Sequence, residues 1–311
     1  MANSNTTHRK GWGGTWTEDK LECFEKYVHA YLTIMNKHRD KYKWILFYFD
    51  GFAGCGEREL MQVEQPQELN LFGDDLPEKI LPEYQGAAER VVQMEKQMRG
   101  FDYYYFIDKF DENLARLEFK LAKYETKGTK VFRAGDANDE VLRLAAYMRK
   151  HYEAKVLCLL DPFGMSVKWE CINALAGTGV DLWILVPTGS IVNRLIQNDG
   201  KLRYPQKLEE FFGLPEAEIY NRFYYTQATP ATLFDQGGEE EVKKVTNIIN
   251  EIIQLYCDQL GTLFKYVTPE PLIMRNSNGL PIFHFVSASN NREAVKIAQQ
   301  IIKNKQQKKK R

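Results

Sequence analysis

Trp44-Ile45-Leu46-Phe47-Tyr48-Phe49-Asp50-Gly51-Phe52-Ala53-Gly54-Cys55-Gly56 is the stretch on which the fold turns. Six consecutive apolar residues, several aromatic or β-branched, read as a strand buried on both faces, the kind a parallel sheet requires. Asp50 closes the run and a glycine-rich turn follows it. In a doubly wound sheet the ligand crevice opens at that carboxyl edge, where glycines let a ligand come close to the backbone.

Upstream, residues 17–37 carry Tyr27, Tyr31, Leu32, Ile34 and Met35 at helical spacing, with Thr17 as a cap. Downstream, helical patterns at 87–98, 112–124, 139–151 and 168–176 alternate with strand patterns at 103–107, 130–133, 155–160 and 180–186. That alternation predicts an α/β fold, an open and mostly parallel sheet with helices on both faces. Residues 190–237, rich in Asn, Arg, Phe and Tyr, read as a helical insertion, and a long helix is expected at 239–260. Segments 263–274 and 281–286 flank Asn276-Ser277-Asn278-Gly279 and read as a β-hairpin, before a last helix at 292–303. Five parallel units closed by a hairpin resemble the architecture of class I methyltransferases, which implies a Rossmann-like, seven-stranded sheet whose seventh strand is antiparallel. The expected organisation is a flexible N-terminus at 1–16, one domain at 17–302 and a basic tail at 303–311.

The 311 residues are 44% hydrophobic, 13% aromatic and 27% charged, enough to build a large core and incompatible with disorder or a small disulfide scaffold. The formal net charge of zero is unevenly spread. The tail holds six Lys or Arg and no acid, which leaves 36 basic against 42 acidic groups in residues 1–302. An acidic body argues against a general nucleic-acid binder, whereas the tail suits a phosphate backbone, an acidic partner or simple solvation. Cys23, Cys55, Cys158, Cys171 and Cys257 form no CxxC pair, as expected of a reducing compartment without a disulfide framework or local zinc site. A polar N-terminus and short apolar runs predict no signal peptide, no membrane span and a cytoplasmic protein.

Four segments carry candidate chemistry, each at the end of a successive strand. The first is Asp50, Gly51, Phe52, Ala53, Gly54 and Gly56, with G-x-x-G-x-G spacing rather than the dinucleotide G-x-G-x-x-G. It resembles motif I of S-adenosylmethionine (SAM)-dependent methyltransferases, in which Asp50 would face the cofactor's amino group; the plainer reading is a turn. The second, Asp108, closes Tyr103-Tyr104-Tyr105-Phe106-Ile107 and suits the two ribose hydroxyls, or a helix cap. It lies 58 residues beyond Asp50 because a polar stretch at 57–85 intervenes. The third, Gly135-Asp136-Ala137-Asn138, offers Asp136 and Ala137 to an adenine, with Asn138 expected to cap the next helix.

Asp161-Pro162-Phe163-Gly164 is the fourth. It is a variant of the (D/N)PP(Y/F) tetrapeptide of amino-methyltransferases and is similar to the Asp-Pro-Phe-Gly of tRNA guanine N2-dimethyltransferases. That resemblance implies that Asp161 and the Pro162 carbonyl orient an amine acceptor and that Phe163 stacks on it. A strand-to-helix turn with Asp161 capping Gly164 or Met165 is the alternative. His8, His29, His38, His151 and His284 show no metal spacing, and no nucleophile elbow or Walker loop is present. Arg194, Phe211, Phe212, Tyr224 and Tyr225 suit either a substrate pocket or a helical core.

Taken with Lys20, Glu25-Lys26-Tyr27, Leu182-Trp183-Ile184-Leu185-Val186-Pro187, the run Arg275 to His284 and Ser289-Asn290-Asn291, these motifs resemble the three-Cys-motif partner protein (TcmP) family over about residues 16–303. Cys55 stands where that family often has Pro, and the 57–85 loop is longer. The resemblance implies a methyltransferase-type fold and a partner carrying a three-cysteine, iron–sulfur or radical-SAM-like motif. Three functions follow: a SAM-dependent methyltransferase with an amine acceptor, nucleic acid among the candidates; a non-catalytic accessory module for such a partner; and a metal-dependent nuclease-like enzyme built on Asp50, Asp136 and Asp161.

Overall fold

The computed structural model describes residues 15–56, 85–228 and 240–310. Helix α1 (Thr15–Tyr42) leads into β1 (Ile45–Asp50), followed by α2 (Ala87–Gln93), β2 (Tyr103–Asp108), α3 (Asp111–Leu121) and β3 (Thr129–Ala134). Next come α4 (Ala137–Met148), β4 (Ala154–Leu160), α5 (Trp169–Ala174) and β5 (Val180–Val186). An insertion contains α6 (Asn193–Leu195), α7 (Pro205–Phe212), α8 (Glu216–Phe223), β6 (Tyr224–Ala228) and β7 (Glu240–Lys244). The chain ends with α9 (Ile248–Leu263), β8 (Tyr266–Val267), β9 (Leu272–Arg275), β10 (Pro281–Ser289) and α10 (Arg292–Lys310).

The main sheet runs β3-β2-β1-β4-β5-β10-β8, with β9 also on β10. Strands β1 to β5 are parallel, and β10 runs antiparallel to β5. This is the Rossmann-like order of class I methyltransferases, with the reversed strand second from the edge. Successive residues of each strand feed opposite layers, as the period-2 pleat dictates. Phe47, Phe49, Cys158 and Ile184 pack toward α4, α5 and the insertion. Tyr48, Phe106, Leu159 and Trp183 pack toward α1, α2, α3 and α10. Each fully buried Leu or Phe contributes roughly 1.5–3 kcal/mol, so both layers hold the sheet.

Several expectations are corrected. The sheet has eight strands, because the strand expected at 263–274 is split around Thr268-Pro269-Glu270-Pro271, whose prolines lack the amide a ladder needs. The insertion is not wholly helical: β6 and β7 form a two-stranded antiparallel sheet. Helix α9 therefore begins at Ile248 rather than 239, after Asn247 turns left-handed with φ of 58°. Residues 303–310 extend α10. Lys305 is held there by Asp19 at 3.0 Å and by Glu22, both on α1. The expected flexible segment lies outside the described residues over 1–14, as does the 57–85 loop over 57–84.

Candidate functional site

The first strand delivers Asp50 to the carboxyl edge of the sheet, level with Phe106 of β2 and Leu159 of β4. Its side chain folds back beneath the loop. Tyr48 Oη donates to its Oδ2 at 2.9 Å and the Phe52 amide to its Oδ1 at 3.2 Å. Burial pushes this carboxyl up to about 7, against the pull of those two hydrogen bonds; Asp161 adds to the rise and Lys20 opposes it. Gly51 is required by close approach: a Cβ there would stand 2.7 Å from Leu160 Cδ2. The amides of Gly51 and Ala53 donate to Leu159 and Ile107 carbonyls, so the loop is tied to β4 and β2.

Phe52 packs on one face of the sheet and Ala53 on the other. Gly54 has a φ of 59°, and among the described residues beyond its chain neighbours no atom lies within 4 Å of where its Cβ would be. Its amide donates to Asp108 Oδ2 at 3.1 Å. The loop's other end is pinned by Lys120 Nζ, which donates to the Gly56 carbonyl at 2.8 Å.

Asp108 ends β2, level with Ala134 of β3. Its Oδ1 accepts from the Phe110 amide and from Asn113 Nδ2, each at 2.9 Å. The one carboxylate thus joins the glycine loop to the start of α3.

Asp136 follows β3 and caps α4, accepting at Oδ1 from the Asn138 amide at 2.7 Å. The cap expected of Asn138 therefore belongs to Asp136, whose position one residue before Ala137 lets its oxygen reach the second helical amide. Asn138 instead ties α4 to the loop after β4, donating to the Ser166 carbonyl and accepting from the Lys168 amide, both at 2.9 Å. Ala137, the first helical residue, is buried.

At the end of β4, Asp161 Oδ2 forms an ion pair with Lys20 Nζ of α1. The Lys20 side chain is 7% exposed and that of Asp161 24%. Pro162 is buried, whereas Phe163 is 82% exposed. Gly164 lies against Ile191, in the π-helical turn Thr188–Val192 that follows β5. Of the same turn, buried Thr188 places Oγ1 2.8 Å from Nδ1 of His284 on β10. Burial, helped by Arg275, pushes the His284 imidazole down to about 4, so it is neutral near pH 7.

Lys20 is the residue that motif reading does not assign a role. Its signal lies in the α1 pattern: Lys20, Phe24, Tyr27, Val28 and Tyr31 follow helical spacing, and all five are buried. A lysine on an apolar stripe needs an anionic partner, and the sheet edge provides one. Of the aromatic residues considered for a pocket, Phe211, Phe212 and Tyr224 join the core, while Tyr225 is 46% exposed. Among the described residues no group of three or more His, Cys, Asp or Glu is placed to hold a metal ion. No helix among them is long and apolar enough to cross a membrane.

No family model and no curated protein matches the chain. Among solved structures it is similar to the complex of Trm1 from Pyrococcus horikoshii with S-adenosyl-L-methionine, at 11% identity and a TM-score of 0.39 over 91% of this chain. The match spans 58% of the Trm1 chain, less than two thirds of its length. It is also similar to a S-adenosylmethionine-dependent methyltransferase from Clostridium acetobutylicum ATCC 824, at 11% identity and a TM-score of 0.33, over 85% of this chain and 92% of that one. A third similar structure is assigned to the Zn-dependent alcohol dehydrogenases of Rhodobacter sphaeroides, at 12% identity and a TM-score of 0.31, over 88% of this chain and 99% of that one. With every TM-score below 0.5, the reading of the site rests on its own residues.

Proposed function

We propose that the chain is a SAM-dependent methyltransferase with an amine acceptor, an exocyclic amine of a nucleobase being the favoured kind. The observation that carries this reading is the pairing of Gly54 with Asp108. A left-handed glycine, with open space among the described residues where a side chain would stand, lies beside a carboxylate at the end of β2. That is a place for a ligand to rest on bare backbone with an anionic acceptor for a diol at its side.

The residues fit an adenosyl ligand in this way. Gly51, Phe52, Ala53, Gly54 and Gly56 form the backbone cradle for its amino-acid end; Asp50, which the motif would turn toward the amino group, is 3% exposed and supports the cradle from beneath through the Phe52 amide instead. Asp108 receives the ribose hydroxyls. Asp136 and Ala137, at the start of α4, border the adenine. When bound, SAM supplies a methyl group on a sulfonium centre, reactive toward a neutral nitrogen lone pair. Asp161 and the Pro162 carbonyl orient the amine so that its lone pair faces that methyl, and positioning rather than strong base catalysis is what the transfer needs. Phe163, exposed beside them, is the stacking surface for an aromatic acceptor.

The metal-dependent alternative suits the edge less well, because the Lys20 ammonium already stands where a cation would neutralise Asp161. The test is calorimetric titration of SAM and S-adenosylhomocysteine into the purified chain and into Asp108→Ala. Micromolar binding that is lost in the variant supports the reading. A folded wild type with no affinity for either ligand, alone or with a three-cysteine partner protein, overturns it in favour of an accessory module.

A further inference from the structure

The contact between Lys20 and Asp161 bears on which amines the site accepts. Asp161 is the carboxylate to which the acceptor amine is assigned, and Lys20 already places an ammonium on one of its oxygens. Lys20 is not loosely held. The first turns of α1 are clamped from two sides, by Arg90 of α2 on Glu18 and Glu25, and by Lys305 of α10 on Asp19 and Glu22. With α1 fixed, Lys20 stays on Asp161 Oδ2, and the incoming group is assigned to Oδ1.

The local charge follows. Lys20 and Asp161 cancel. The carboxyl of Asp50 lies deeper, 3% exposed and bonded to Tyr48 and Phe52. The other charged groups on the first turns of α1 are paired away from Asp161: Glu18 and Glu25 with Arg90, Asp19 and Glu22 with Lys305, and Glu22 also with Lys26. An alkylammonium entering this site would meet a carboxylate already neutralised and a second ammonium beside it. Desolvating a cation under those conditions is unfavourable, whereas a neutral amine needs only an acceptor oxygen. The exposed ring of Phe163 adds a flat apolar surface on the same loop.

We propose that Lys20 is a specificity-determining residue that excludes cationic amines and restricts the acceptor to a neutral, aromatic amine. This rests on the methyltransferase reading given above. Lys20 acts through Asp161, so it is a positioning group rather than a catalytic one.

The experiment uses the full chain with methyl-labelled SAM and two acceptor sets. One is unmodified total RNA with the four ribonucleosides; the other is spermidine with a lysine-rich peptide. Wild type, Lys20→Gln and Lys20→Arg are compared, with SAM affinity and melting temperature measured for each. Wild type is expected to label the neutral set at least tenfold faster than the cationic set. Lys20→Gln is expected to lose most of that preference at unchanged SAM affinity, and Lys20→Arg, which keeps the charge, to retain it. SAM binding with equal or faster labelling of the cationic set overturns the inference alone, as does an unchanged preference in Lys20→Gln or the absence of label in both sets. Absence of SAM binding overturns the cofactor reading, and this inference with it.

Discussion

The amide of Gly54, on the loop after β1, donates to Oδ2 of Asp108 at the end of β2 across 3.1 Å, and 54 residues of chain separate the two. The same carboxylate takes the Phe110 amide and the Asn113 side chain on its other oxygen. Asp108→Asn keeps one acceptor oxygen and forfeits the charge that strengthens all three bonds. It should cost about 1–2 kcal/mol in chemical denaturation. SAM affinity should fall at least tenfold. An unchanged affinity would remove Asp108 from the ribose site, whatever happened to stability.

Gly51 and Gly54 should separate packing from ligand binding. A methyl group at Gly51 meets Leu160 at 2.7 Å within the core, so Gly51→Ala should destabilise by about 1–3 kcal/mol through overpacking. At Gly54 the space among the described residues is open and the left-handed backbone is what resists, a cost of about 1 kcal/mol. The Gly54→Ala side chain would project where the adenosyl ligand is placed. It should therefore lower SAM affinity more than Gly51→Ala while melting at a higher temperature. The reverse ranking in calorimetry would move the ligand away from Gly54.

The carboxyl of Asp50 titrates near 3.8 when unfolded and near 7 in the folded chain, with burial the main cause. Between those values the folded state holds the proton more tightly. The contribution to stability is complete below about 3.8 and is lost as pH rises through about 7, a span on the order of 4 kcal/mol. His284 runs the other way: its folded value near 4 lies below the unfolded 6.5, so its contribution fades as pH falls between them. Comparison with Asp50→Asn isolates the carboxyl. From pH 5 to pH 8, urea denaturation should show the variant gaining on wild type by at least ~1 kcal/mol. A constant difference would mean that Asp50 does not titrate in that range.

Lys305 turns the basic end of the chain into a structural clamp. It pairs with Asp19 and Glu22, and Glu22 is lowered to about 2 chiefly by Lys26 and then by Lys305. Glu22 thus contributes above its unfolded value of 4.5 and loses that contribution as pH falls toward 2. Lys305→Ala should cost about 1 kcal/mol, or roughly 2 °C. The difference should shrink in 0.5 M salt, because the pair is partly exposed. A loss that persists undiminished at high salt would point to packing of the lysine stem instead.

The strands and the acids that end them were legible because one-dimensional patterns determine them. The pattern predicts β5 at 180–186 and the strand occupies Val180–Val186, since a run of apolar β-formers bounded by polar residues has only one place to go. Asp50, Asp108 and Asp161 each end or directly follow such a run, so their shared edge follows from parallel pairing alone. What depends on tertiary placement was not legible. Lys20 meets Asp161 across 141 residues, and local sequence carries no record of that distance. β7 reads as Glu240-Glu241-Val242-Lys243-Lys244, a polar segment with good helical propensity that becomes strand only because β6 is there to pair with it. Sequence alone does not separate Asp136 from Asn138 as the cap of α4, because both residue types cap helices and only backbone geometry distinguishes them.

Asp161 combines a structural and a proposed chemical duty, and the two come apart under substitution. Asp161→Ala leaves the Lys20 ammonium, 7% exposed, without its partner. Stranding a buried charge costs about 3 kcal/mol, so this variant alone would confuse lost activity with lost stability. Replacing both residues, Lys20→Met with Asp161→Leu, removes the stranded charge and should return stability to within ~1 kcal/mol of wild type. Both proteins should bind SAM within threefold of wild type and transfer no methyl group. Transfer by the stable double variant would show that Asp161 does not orient the acceptor. Loss of SAM binding in that variant would place Asp161 in the cofactor site instead.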